Sequence, residues 1–112
     1  MTVHEGTCHC GAISLQLRDQ PTGVSECNCS ICRRIAGLWH YCRPEVVTIT
    51  GDAIDYSHGD RTLTTWHCGV CGCTTHWTAI DPAYRKMGVN LRMFDHALWQ
   101  GLPRTLVDGA SF

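Results

Sequence analysis

From Ala12 to Arg18 apolar and polar residues alternate, with Ile13, Leu15 and Leu17 on one side and Ser14, Gln16 and Arg18 on the other. A period of two predicts a half-buried strand, ended here by Pro21 and Gly23. Val24 to Cys27 predicts a second, short strand. Leu38 to Arg43 predicts a strand with Trp39 and Tyr41 on one side, interrupted by Pro44-Glu45. The β-branched run Val46-Val47-Thr48-Ile49-Thr50 is a strong strand signal. Ile54 to Tyr56 lies between the turn signals Gly51-Asp52 and His58-Gly59-Asp60. Leu63 to His67, Thr74 to Ala79 and Met87 to Phe94 complete the predicted strands, with Asp81-Pro82 as a turn. Ser30 is placed to cap one helical turn through Arg34, with Gly37 as its stop. His96 to Gln100 predicts a short helix before Pro103. Short strands separated by turns every 8–12 residues or so predict an all-β fold.

Length and charge narrow the class. At 112 residues the chain is sized for one domain, residues 1–112. The net charge is -1 and the pI is 6.6, with no basic stripe. That argues against nucleic acid as a partner. No apolar run approaches the roughly 18 residues of a membrane span. Whether copies associate as a homo-oligomer is left open.

Nine cysteines change the picture. A disulfide scaffold is the first reading for so many in a short chain. Against it stand an odd count, a Met1 to Gly11 segment without the apolar core of a signal peptide, and spacings that suit metal claws. A reducing, cytoplasmic setting follows. Cys8 and Cys10 at i, i+2 on a strand point to one side and form a two-pronged claw. Cys68-Gly69-Val70-Cys71, closed by Gly72, forms another. Together they offer four thiolates, enough to close a tetrahedral structural zinc site. Cys27-Asn28-Cys29-Ser30-Ile31-Cys32 offers only three, and a three-ligand zinc with an open position is the pattern of a catalytic site.

Three clusters in this order carry a resemblance. Gly6-Thr7-Cys8-His9-Cys10-Gly11-Ala12-Ile13, Cys27 to Arg34, Cys68 to Gly72 and the later Val89-Asn90-Leu91-Arg92 resemble the glutathione-dependent formaldehyde-activating enzymes, which share their domain with centromere protein V. The resemblance spans about residues 3 to 108. It implies antiparallel sheets of the Mss4-like type and two zinc ions per chain. One zinc would sit on Cys8, Cys10, Cys68 and Cys71, the other on Cys27, Cys29 and Cys32. It further implies carbon–sulfur lyase chemistry, joining formaldehyde and glutathione into S-hydroxymethylglutathione and reversing that step. Cys42 and Cys73 lie outside the pattern, and Cys73 competes with Cys71 for the fourth place in the closed site.

Other readings stand beside these. The middle trio could be a second structural zinc completed by Cys42, Cys73 or a histidine, in a non-enzymatic binding module. It could also be a redox dithiol, Cys29 with Cys32, although the βαβ context of such motifs is missing. Arg33 and Arg34 suit recognition of a substrate carboxylate, offset of the thiolate charge, or plain solvation. Asn90 and Arg92 read as ordinary strand residues. His9 and His67 point away from the ligands beside them, and His40, His58, His76 and His96 have no motif around them. Trp39, Trp66, Trp77 and Trp99 read as core, with room for one to wall a pocket.

Overall fold

A computed structural model describes residues 2–57 and 62–111 of the chain. The fold is mostly β, with ten strands in two sheets among the described residues. The strands are β1 (His4–Thr7), β2 (Ser14–Leu17), β3 (Val24–Cys27), β4 (Trp39–Cys42), β5 (Val47–Thr50), β6 (Ala53–Ser57), β7 (Leu63–Cys68), β8 (Thr74–Ala79), β9 (Met87–Asn90) and β10 (Arg104–Val107). Two single-turn helices join them, α1 (Cys32–Ile35) and α2 (His96–Trp99). The smaller sheet has the order β1-β2-β5 and the larger β10-β3-β4-β9-β8-β7-β6. Every pairing is antiparallel except that of β10 with β3, which is parallel.

The alternation read from Ala12 to Arg18 is realised. Ile13, Leu15 and Leu17 are buried and meet Val24, Leu38, Val89, Leu91 and Phe94 in the main core. Cys8 and Cys68 close one edge of that core. A second cluster gathers Cys32, Trp39 and Trp77, with Tyr41, Leu63, Ile31 and Ile35 packed against it. Trp39 and Tyr41 do share a side of β4, and that side lines this second cluster.

Several sequence expectations need correction. Met87 to Phe94 is not one strand. It turns into a 3-10 helix at Leu91–Met93, because Asn90 Oδ1 accepts the Arg92 amide at 3.2 Å and bends the chain. Ser30 does not cap α1. The residue before the helix is Ile31, with no side-chain cap. The helix ends at Ala36 in the left-handed region (φ 58), not at Gly37. Gly37 is needed for another purpose: a methyl there would lie 2.5 Å from the Trp39 ring, so its bare backbone makes room for that indole. Finally, β1 and β10 were not expected. The turn proposed at His58-Gly59-Asp60 lies outside the described residues.

Candidate metal centres

The two sheets meet at the first cysteine group. Cys8 and Cys10 lie in the turn after β1 and not on a strand as the spacing suggested, while Cys68 ends β7 and Cys71 lies in the turn before β8. The four sulfurs lie within 4.8 Å of one another. The Cys8–Cys10 and Cys10–Cys68 sulfur separations are 3.7 and 3.6 Å. A tetrahedron with 2.3 Å zinc–sulfur bonds requires about 3.8 Å, so the group fits such an ion. Backbone amides point at the sulfurs, with Ile13 donating to Cys8 at 3.3 Å and Val70 and Cys71 donating to Cys68 at 3.3 and 3.5 Å. The amides of Cys73 and Cys10 pull the Cys71 thiol down to about 5. Hydrogen bonds of this kind favour thiolate over thiol. Cys73 is outside the group. It serves instead through its backbone, its carbonyl accepting the Cys68 amide at 3.0 Å.

The second group is Cys27, Cys29 and Cys32, with the same 4.8 Å mutual limit. The end of β3 supplies Cys27, the following turn Cys29, and the first residue of α1 Cys32. The Cys32 amide donates to Cys29 Sγ at 3.4 Å. Burial opposes ionisation of Cys29, but the amides of Cys32 and Ile31 and the neighbouring thiols outweigh it, and its pKa falls below the ordinary value. Cys32 moves the other way, raised by burial and by the charge of Cys29 and Cys27. Among the described residues no further Cys, His, Asp or Glu joins the trio. Cys42 sits against the main core, its thiol pushed up to about 11 by burial and by Asp19. Both cysteine groups can therefore hold metal ions, and all-sulfur donor sets suit zinc.

The trio opens onto a cavity with an empty volume of about 1660 Å³ that includes open solvent. Trp39, Tyr41, Leu63 and Trp77 form its aromatic and apolar wall, and Val107, Gly109 and Ala110 form another side. Tyr41 and Trp77 meet edge to face, centroids 5.8 Å apart. Burial and the nearby Cys27 charge keep the Tyr41 phenol neutral.

The two arginines separate. Arg33 lines this cavity, whereas Arg34 folds back, its Nη1 donating to the Ser30 carbonyl at 2.6 Å. Asn90 is not an ordinary strand residue. It is buried, accepts from the Leu38 and Arg92 amides and donates to the Thr74 carbonyl at 2.9 Å. Arg92 donates Nε to the Ala36 carbonyl at 2.7 Å and so ties down the end of the cysteine turn. Its signal in the sequence was faint, one polar residue at the close of an apolar strand. The histidines take structural places: His40 pairs with Asp19 at 2.8 Å, and buried His76 bonds Thr75 at 2.7 Å and stacks on Trp66.

Comparison with known proteins agrees with this arrangement. The family model for glutathione-dependent formaldehyde-activating enzymes matches residues 3–105. A Halomonas elongata protein named "Putative glutathione-dependent formaldehyde-activating enzyme" is 40% identical over 50 residues, 44% of this chain and 29% of that protein. The aligned stretch thus spans less than a third of that relative's length. The crystal structure of a Rhodobacter sphaeroides protein superposes with a TM-score of 0.73 at 28% identity, covering 90% of this chain and 99% of that one.

Proposed function

Because the chain belongs to the glutathione-dependent formaldehyde-activating enzyme family, we propose that it is a zinc-dependent carbon–sulfur lyase-type enzyme that forms and breaks hydroxymethyl adducts of a small thiol, with glutathione and formaldehyde as the leading pair. The observation that carries this reading is the contrast in access. One cysteine group is closed by four sulfurs, and the other has three sulfurs facing a cavity. Zinc held by Cys27, Cys29 and Cys32 would supply a position at which a thiol is bound as thiolate.

The chain's own residues do the rest. Trp39, Trp77 and Leu63 give the sulfur face an apolar wall. The neutral Tyr41 phenol is a donor for the oxygen that gains charge when the aldehyde is attacked, and a positioned acid of this kind contributes on the order of 10²-fold. Arg33 offers a guanidinium fork to a substrate carboxylate. Cys8, Cys10, Cys68 and Cys71 would carry a structural zinc. The setting is the cytoplasm, where such thiols stay reduced, and the chain acts as one zinc domain.

The test mixes zinc-replete protein with formaldehyde and glutathione and follows adduct exchange by exchange NMR, with the uncatalysed rate subtracted. Acceleration above background is expected. No acceleration with any thiol tried, together with an unchanged cobalt spectrum on adding thiol, would leave a binding module with two structural metals.

A further inference from the structure

Residues 106–111 lie beyond the stretch matched by the family model, which ends at 105, yet they form one side of the three-cysteine site. The approach begins with β10. Its register sets Val107 opposite Cys27, and Arg104 pairs with Glu26 at 3.0 Å. The ladder runs one residue further, as the Asn28 amide donates to the Val107 carbonyl at 3.0 Å. Asn28 stands between Cys27 and Cys29, and its side chain is used at both ends. Nδ2 donates to Asp108 Oδ1 at 2.9 Å, and Oδ1 accepts the Ala110 amide at 2.9 Å. Ser111 Oγ donates to the other Asp108 oxygen at 2.6 Å.

This clasp presses Gly109 onto the ligands. A methyl at Gly109 would lie 2.3 Å from Cys27 Sγ and 3.1 Å from Cys29 Cβ, so there is no space for any side chain. The segment also divides two cavities. The larger is the aromatic-walled one. A smaller one, with an empty volume of about 690 Å³ that includes open solvent, lies behind it, lined by Glu26, Leu106 and Asp108. Cys27 and Cys32 contribute to both.

We propose that residues 107–111 are a fitted strap whose clasp, Asn28 with Asp108 and Ala110, positions Cys27 and Cys29 and limits the size of the group admitted beside the three sulfurs. Asn28, Asp108 and Gly109 are positioning residues, acting through the ligands they hold. The strap is a solvent-facing brace, so its effect concerns this site alone and leaves the four-cysteine group untouched. The assignment of a metal to the trio rests on the proposed function; catalysis does not enter the test.

The experiment loads the full chain with Co²⁺ and follows its sulfur-to-metal charge-transfer bands while a chelator removes it. Loss of an outer partner costs a metal site about 10–100-fold in affinity. Asn28→Asp, which sets two carboxylates face to face, should hasten release from the three-cysteine group by about tenfold. Release from the four-cysteine group should stay at the wild-type rate and so report that the fold is intact. The double variant Asn28→Asp/Asp108→Asn exchanges donor and acceptor and should restore the wild-type rate, which a merely unfolding substitution would not do. Gly109→Ala should act in the same direction as Asn28→Asp. It should also let a bulky aromatic thiol shift the cobalt bands, where the wild type responds only to thiols carried on a methylene, such as glutathione or 2-mercaptoethanol. Wild-type release from both groups in both single variants would overturn the proposal, as would a double variant that fails to recover. If Gly109→Ala does not fold, the Asn28/Asp108 pair decides alone. Lack of turnover with any adduct would count against the lyase reading and leave these outcomes unchanged.

Discussion

The two cysteine groups use the same ligand atom and differ in most of what surrounds it. The four-cysteine group draws its claws from different sheets, buries Cys8 and Cys68 to 1% exposure, and surrounds its sulfurs with backbone amides. The three-cysteine group comes from one short stretch, with the Cys32 amide on Cys29, and most of what surrounds it is side chains of distant strands. Where main chain makes the second layer, the site is part of the fold. Where side chains make it, the site can be shaped without unmaking the fold.

The sharpest way to break this comparison is to remove one ligand from each side. Cys71→Ser should unfold the chain or leave it insoluble. Structural zinc contributes an apparent ~10–16 kcal/mol, against a whole-domain stability of ~5–15 kcal/mol. Thermal melting and metal content measure the loss, and a wild-type melt with full metal would refute the structural role. Cys73→Ser should keep both metals, since Cys73 lies outside the group. Cys32→Ser should empty the second site and abolish turnover while circular dichroism and the first metal persist.

A smaller effect separates metal from fold in acid. Burial holds His76 at about 4, below its ordinary 6.5, so it is neutral in the fold while the unfolded chain protonates first. Its contribution is complete above pH 6.5 and is lost as pH falls from there to about 4, amounting to roughly 3 kcal/mol at most. Denaturant melts at stepped pH should show a shallower acid slope for His76→Gln; an unchanged slope would assign the acid loss to the cysteines. The smallest effect distinguishes the arginines. Arg33→Ala should raise KM for glutathione about tenfold, the worth of one charge-assisted hydrogen bond, with kcat little changed. Arg34→Ala should do less, because its fork is already spent on the Ser30 carbonyl.

Legibility in the sequence followed the same division. Both cysteine groups could be read in part because the members of each claw sit two or three residues apart, although nothing in the spacing brings Cys10 to Cys68, 58 residues on. Strands with one buried face could be read too, as at Leu15 and Leu17. The edges could not. Three of the four β10 residues, Arg104 to Leu106, are exposed, and the strand pairs on one side only, so no burial pattern marks it. β1 buries only Gly6. The aromatic wall was half legible: Trp39 and Tyr41 share a side by strand period, but Trp77 reaches them only through the order β4-β9-β8. Asn28 gave no sign of its partners 80 and 82 residues away.

That separation has a consequence for how the molecule comes into being. Chains are made at about 5–20 residues per second, so some 80 residues correspond to on the order of ten seconds. During that interval β3 waits for its parallel neighbour with an open edge beside three reduced thiols. Contacts this distant in sequence also form late in free refolding, after local pairings. The region around Cys27 is thus the last part of the larger sheet to be sealed, and the stage at which a stray metal or oxidant has its best chance of entry.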